Sequence, residues 1–168
     1  MKKNIVLIGM PGCGKSAVGR ELSAMLHMVL VDTDRMVERA ADQTVADIFA
    51  AEGEAGFRDR ETAAVRQAAQ MSGVVIATGG GVVLREENMT ALAQTGVIFF
   101  RDRGLADILG EDLSERPLLN GNTARIYELY DQRIDLYRKY AHHTISCTNT
   151  AGEAALRIAT LYEKECKQ

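Results

Sequence analysis

The 168-residue sequence has no tryptophan, only two prolines and three cysteines, and just 5% aromatic residues. Cys13, Cys147 and Cys166 are odd in number and far apart, so they predict neither a disulfide framework nor a structural metal site. This cysteine usage is typical of a reducing compartment, and we expect a cytoplasmic protein. No apolar run reaches the ~20 residues of a membrane helix, and residues 5–8 are too short for the core of a signal peptide.

The bulk composition is that of an ordinary globular domain. Apolar residues make up 46% of the chain, charged residues 26%, and the formal net charge is −3. A weakly acidic balance argues against general binding to nucleic acid or to anionic membranes. The length predicts a single domain over residues 1–168.

Short apolar runs alternate with longer segments of helical character. The expected strands are 5–8, 29–31, 74–77, 97–100 and 143–147, and the expected helices are 15–26, 34–41, 45–50, 55–71, 86–94, 104–110, 123–141 and 151–165. Runs rich in Val and Ile are typical of strands buried on both faces, so the alternation predicts an α/β fold with a parallel sheet. Residues 111–122 break the periodicity with Pro117 and Gly121, and we expect a loop that serves as a lid.

Residues 9–16 read GMPGCGKS, a complete phosphate-binding loop between an expected strand and an expected helix. Nucleotide contacts are expected from Gly12, Cys13, Gly14, Lys15, Ser16 and Ala17. Lys15 would pair with the β- and γ-phosphates of ATP, and the Ser16 hydroxyl would bind Mg²⁺. Cys13 is interpreted as a tolerated small side chain, the alternative being a thiol activated by the helix N-terminus.

Two aspartates, Asp32 and Asp34, follow the apolar run 29–31. Ligands of open α/β sheets bind beyond the carboxyl ends of strands, and residues two apart on a strand point the same way. We therefore expect both carboxylates beside the phosphate loop, one supporting Mg²⁺ and the other accepting the proton of a substrate hydroxyl. The alternative is that Asp32 or Thr33 only caps the following helix.

Three arginines have a structural and a functional interpretation. Arg58 stands three residues before Glu61 and could form an ordinary surface pair on a helix. Arg133 lies on or beside the apolar face of the helix over 123–141, where a charge is costly unless it is paired or reaches the edge. Arg116 is either an exposed loop residue of the lid or a cation that neutralises a transferring phosphoryl group.

Three successive glycines, Gly79, Gly80 and Gly81, follow the strand over 74–77. We interpret them as a ligand contact and not as a packing feature. They would let the backbone approach a ligand closely or offer N–H groups to an anion. The alternative is a flexible turn between a strand and a helix.

The order of these motifs resembles the shikimate kinase family over nearly the whole chain. After the phosphate loop come Asp32-x-Asp34, FRDRE at 57–61, ATGGG at 77–81, RPLL at 116–119 and Arg133-x-x-x-Tyr137. The resemblance implies a monomeric P-loop kinase fold with three layers, a central five-stranded parallel sheet and a lid. It also implies transfer of the ATP γ-phosphoryl group to the 3-hydroxyl of shikimate, in aromatic amino-acid biosynthesis through chorismate.

The resemblance assigns roles to matching residues. Asp34 would hold the substrate hydroxyls and act as base, Asp32 would organise Mg²⁺, and Gly79–Gly81 would line the substrate pocket. Arg58 and Arg133 would bind the shikimate carboxylate, and Arg116 would contact ATP. One position departs from the pattern, since many shikimate kinases carry an adenine-stacking arginine where this chain has Leu109.

Two other functions compete with this interpretation. Another small-metabolite P-loop kinase, such as a gluconate kinase, would share the loop and the fold. A nucleotide-binding regulator without catalysis would share the loop alone.

Overall fold

A parallel sheet of five strands forms the middle layer of the protein. The computed structural model describes residues 2–110, 123–146 and 150–167. The strands are β1 (Asn4–Ile8), β2 (Val29–Asp32), β3 (Val74–Ala77), β4 (Gly96–Arg101) and β5 (His143–Ile145). Their order across the sheet is β2-β3-β1-β4-β5, with every neighbouring pair parallel. The expected five-stranded parallel sheet is confirmed, and all carboxyl ends meet at one edge.

Seven helices lie among the described residues. They are α1 (Lys15–Leu26), α2 (Thr33–Ala41), α3 (Val45–Ala69), α4 (Glu86–Thr95), α5 (Leu105–Leu109), α6 (Thr123–Tyr140) and α7 (Ala151–Glu165), with a 3₁₀ turn at Val82–Leu84. The expected lid over 111–122, with Arg116, lies outside the described residues, and so does Cys147.

Alternate side chains of β1 enter different cores, because successive residues of a strand face opposite sides of the sheet. Val6 and Ile8 pack with apolar residues of α3, α4 and α6. Ile5 and Leu7 pack with residues of α1 and α7. The sheet is therefore covered on both faces, which gives the three expected layers and explains the continuous apolar runs.

The helix expected in two pieces, 45–50 and 55–71, is a single segment interrupted at Gly53. Gly53 has φ 70° and ψ −175°, a conformation that is essentially restricted to glycine. The sequence break is thus real, but no loop separates the pieces. The second piece carries Arg58 and Glu61, so the kink sets the direction from which both side chains enter the site.

The last strand is shorter than expected, ending at Ile145 and not at residue 147. The adjacent histidines beside it have separate structural partners. His142 Nδ1 accepts from the amide of Ile98 at 2.9 Å, and His143 Nε2 lies 2.9 Å from Glu165 Oε1. Within the described ranges, no helix has the length and apolarity to cross a membrane.

Candidate active site

A pocket of about 360 Å³ opens at the carboxyl edge of the sheet, around the loop that follows β1. We call it the phosphate pocket. Its lining comprises Gly12, Cys13, Gly14, Lys15, Ser16, Ala17, Val18, Arg20, Asp32, Asp34, Thr78, Arg101, Arg103 and Ala151. The structure thus brings together both aspartates and the six residues of the phosphate loop expected to contact nucleotide, while Arg116 lies outside the described residues.

Lys15 is buried within the phosphate loop itself. Its Nζ donates to the carbonyl oxygens of Gly9 at 2.8 Å and Met10 at 3.0 Å, so the loop's own backbone fixes the ammonium group. Cys13 is 1% exposed and packs in the apolar core, with Sγ 3.6 Å from that Nζ. Contact between Cys13 and a nucleotide would therefore come from the backbone and not from the thiol.

Asp32 serves two elements at once. One carboxylate oxygen accepts from the amides of Asp34 and Arg35 at 3.0 and 3.2 Å, which caps α2. The other accepts from the Ser16 hydroxyl at 3.2 Å. The capping and functional interpretations of Asp32 are compatible, because each uses a different oxygen. A hydroxyl and a carboxylate side by side form a donor set that suits Mg²⁺, which takes one or two protein oxygens together with water and phosphate.

The strand argument for the proximity of the two aspartates is wrong. The strand ends at Asp32, and Asp34 lies in the first turn of α2. Both side chains line the phosphate pocket, Asp32 from the end of β2 and Asp34 from the first turn of α2.

The triple glycine meets a packing requirement, so the expectation that it is not a packing feature is wrong, while its contact with a ligand stays a prediction. A Cβ on Gly79 would lie 2.7 Å from both Asp34 Oδ1 and Glu61 Oε1, and one on Gly80 would lie 2.7 Å from the Pro11 ring. A Cβ on Gly81 would overlap the Arg58 guanidinium group. None of the three glycines has a positive φ, so space and not conformation excludes a side chain. The glycines allow the candidate functional groups to converge on one stretch of backbone.

Arg58 and Arg133 form a buried cluster beside Asp34, which we call the arginine pair. Arg58 is 6% exposed and Arg133 is 2% exposed. Arg58 donates to the fully buried Glu61 at 2.8 Å and to the half-exposed Glu54 at 3.3 Å. The interpretation of Arg58–Glu61 as a surface pair is therefore wrong. The Nε atoms of both arginines are buried without a hydrogen-bond acceptor in the structure.

Electrostatics of the arginine pair favour an anionic ligand. Burial lowers the pKa of Arg133, and repulsion from Arg58 lowers that pKa further. Arg58 is paired with Glu54 and Glu61, whereas Arg133 has no ion pair among the described residues, and a buried charge needs a partner. An anion here would accept hydrogen bonds from both planar forks, an arrangement that matches a carboxylate.

Tyr137 connects the arginine pair to the glycines. Its hydroxyl donates to the carbonyl oxygen of Gly80 at 2.6 Å and lies near the Arg133 guanidinium group. Its ring stacks on Phe100 with 5.1 Å between centroids. Burial raises the pKa of the Tyr137 phenol, so it stays protonated and keeps donating to Gly80. Tyr137 therefore fixes α6 against the turn after β3.

Comparison with known proteins agrees with this geometry. The shikimate kinase family model matches residues 11–163. The chain belongs to the shikimate kinase family. A shikimate kinase from Symbiobacterium thermophilum is 49% identical over 152 residues, which are 87% of each chain. One from Clostridium beijerinckii is 42% identical over 159 residues, or 94% of each chain.

Solved structures of the family have the same fold. Shikimate kinase from Acinetobacter baumannii in complex with shikimate aligns with a TM-score of 0.92 at 33% identity, covering 98% of this chain and 95% of that one. Shikimate kinase from Aquifex aeolicus aligns with a TM-score of 0.84 at 31% identity, covering 97% and 98% of the two chains. The P-loop kinase fold expected from sequence is confirmed.

Several residues at the site escaped the sequence analysis. The phosphate pocket is also lined by Arg20, Thr78, Arg101, Arg103 and Ala151. The sequence does carry a signal for Arg101 and Arg103. They follow the apolar run 97–100 at the carboxyl end of a strand, as Asp32 follows the run 29–31. Leu109, at the family's adenine-stacking position, packs against the core.

The link through Tyr137 predicts a pH-dependent stability effect. Tyr137→Phe should lower the free energy of unfolding by about 1 kcal/mol near neutral pH, because the Gly80 carbonyl loses its donor. In the unfolded chain tyrosine ionises near pH ~10, whereas burial holds Tyr137 protonated in the folded protein, so wild type loses stability above that pH. The deficit of the variant should therefore shrink as the pH rises above ~10.

Denaturant unfolding at several pH values measures this effect. Tyr127→Phe is the matched control, since Tyr127 is 49% exposed and should change stability by less than about 0.5 kcal/mol. A Tyr137→Phe variant as stable as the control at neutral pH would disprove the link.

Proposed function

We propose that the protein transfers the γ-phosphoryl group of ATP to the 3-hydroxyl of shikimate, giving shikimate 3-phosphate and ADP. The observation that carries the proposal is the buried arginine pair beside Asp34 and the phosphate pocket. It combines a site for a carboxylate, a general base and a phosphate loop within one edge of the sheet. The whole chain would act as one catalytic unit.

The acceptor would bind through its carboxylate to Arg58 and Arg133. Arg58 is held by Glu61 before binding and Arg133 is 2% exposed, so little ordering entropy is lost when the ligand arrives. Gly79–Gly81 would form the wall of this subsite, because side chains there would displace Arg58 and Asp34. The carboxylate would fix the ring and direct one hydroxyl toward the phosphate pocket.

Asp34 would receive the proton of the attacking hydroxyl. It lines the phosphate pocket and also touches Gly79, which places its carboxylate between the two halves of the site. As the hydroxyl oxygen forms a bond to the γ-phosphorus, its proton would pass to Asp34 and the bond to the β-phosphate oxygen would break.

The phosphate loop would bind and orient ATP through residues 12–17. Backbone N–H groups at the start of α1 would face the phosphates, and Lys15 Nζ would exchange carbonyl acceptors for phosphate oxygens. Ser16 and Asp32 are the residues that would hold Mg²⁺. When bound, Mg²⁺ would neutralise charge on the phosphate oxygens.

Arg116, outside the described residues, is proposed to contact the transferring phosphoryl group. That the enzyme is monomeric and cytoplasmic stays a prediction.

A coupled ADP-release assay tests the proposal. ADP should form with ATP and shikimate, and not with ATP and gluconate, because gluconate is an acyclic acid and the arginine pair has to orient a ring. Mass spectrometry should then find one added phosphate, and phosphorus–proton coupling in NMR should place it on the 3-hydroxyl. Turnover of gluconate alone would favour the competing kinase, and ATP binding without any phosphorylated product would favour a regulator.

The role of Asp34 generates a second prediction. Asp34→Asn should lower kcat by about 100-fold or more, because the amide cannot accept the proton. The dissociation constant for ATP should stay within about twofold, since the phosphate loop is untouched. Asp135→Asn, at an exposed carboxylate on α6, is the control and should leave both values unchanged. A kcat near that of wild type would remove Asp34 from catalysis.

A further inference from the structure

Two arginines without a role in the proposed function lie at the carboxyl end of β4. Arg101 is its last residue and is 4% exposed, and Arg103 is half-buried two positions later. Both line the phosphate pocket. We call them the β4 arginines. Burial is the main cause that lowers the pKa of Arg101. Repulsion from the nearby Arg103 lowers that pKa as well.

Arg101 is adjacent to the phosphate loop. β4 pairs with β1, with Phe100 opposite Ile8, so the residue after Phe100 meets the first residue of the loop. A Cβ on Gly9 would lie 2.8 Å from both the Arg101 carbonyl oxygen and Cys13 Sγ. This contact fixes the backbone of Arg101 beside the loop that holds Lys15.

The order of strands divides the phosphate pocket into two sides. Asp34 and Thr78 belong to the β2 and β3 side, where the arginine pair would hold the acceptor. The β4 arginines and Ala151, which begins α7 after β5, belong to the other side. The γ-phosphate must point toward the acceptor, so the nucleoside has to extend from the loop toward β4 and β5.

The chemistry of the β4 arginines suits a nucleotide. Two arginines that line one pocket give it a concentration of positive charge, which attracts an anionic ligand. A guanidinium group binds phosphate oxygens through paired hydrogen bonds and also stacks on aromatic rings. The buried Arg101 is next to the loop, where the phosphates bind, and the more exposed Arg103 is further out, where a base would lie.

We propose that Arg101 binds the phosphates of the nucleotide and that Arg103 packs its guanidinium plane on the base, so that Arg103 sets base affinity in this chain. The proposal rests on the proposed function only in taking a nucleoside triphosphate as the phosphoryl donor. Leu109 packs against the core, and no described residue of α5 lines the phosphate pocket. Among the described residues, the β4 arginines provide positive charge on the side of the phosphate pocket formed by β4 and α7.

Isothermal titration calorimetry with ADP and with inorganic tripolyphosphate separates the two roles. Arg103→Met should weaken ADP binding at least about threefold, as expected for a lost cation–π contact, and leave tripolyphosphate binding within that factor. Arg101→Met should weaken both ligands at least about tenfold, as expected for a lost charged hydrogen-bond partner. Arg66→Met, at an exposed arginine of α3, is the matched control and should change neither.

The outcomes are decisive in either direction. ADP binding that changes less than about threefold in Arg103→Met would overturn the base contact, and equal losses for ADP and tripolyphosphate would move Arg103 to the phosphates. Unchanged tripolyphosphate binding in Arg101→Met would overturn the phosphate contact. If Arg101→Met unfolds, Arg101→Lys retains the charge and should still lose tripolyphosphate affinity.

These titrations contain no acceptor. If shikimate is not the substrate, the ADP result is unaffected, and if the β4 arginines are structural, phosphorylation of shikimate still proceeds in wild type. Failure of this inference and failure of the proposed function are therefore distinguishable.

Discussion

The buried ion pair between Arg58 and Glu61 is the interaction on which the rest of the site depends. Because neither charge has access to water, the surrounding backbone has to approach both side chains closely. The glycines after β3 meet that requirement, with Gly79 against Glu61 and Gly81 against Arg58. Removal of Glu61 would leave Arg58 with the half-exposed Glu54 as its carboxylate partner, so the Glu61 carboxylate both fixes Arg58 and balances its charge within the buried cluster.

The order of the strands in the sheet places different functional groups on opposite sides of the phosphate loop. β1 lies at the centre and delivers the phosphate loop, β2 and β3 deliver Asp34 and the glycines on one side, and β4 delivers Arg101 and Arg103 on the other. A donor and an acceptor can therefore approach the same loop from opposite directions. Helices α3 and α6 complete the acceptor side with Arg58 and Arg133, and the Gly53 kink and the Tyr137 hydroxyl fix their positions.

Local patterns were sufficient for the elements and for most of the site, because apolar runs, caps and the phosphate loop are encoded over a few residues. The sequence could not indicate why the glycines are needed, since the crowding by Asp34, Glu61 and Arg58 joins segments far apart in the chain. The reason offered for Asp34 was wrong because an Asp32 cap converts strand to helix within two residues. The sequence analysis did not predict Arg101 as a site residue, although Arg101 follows the apolar run 97–100 just as Asp32 follows the run 29–31.

Recognition of the acceptor carboxylate by the buried arginine pair can be tested by calorimetric titration of the wild-type protein with shikimate and with shikimate methyl ester. The ester keeps the ring and the hydroxyls and removes only the charge. We expect the ester to bind at least about 30-fold more weakly, the loss expected when a buried charged pair has one partner removed. Equal affinity for the acid and the ester would show that the arginine pair does not recognise the carboxylate.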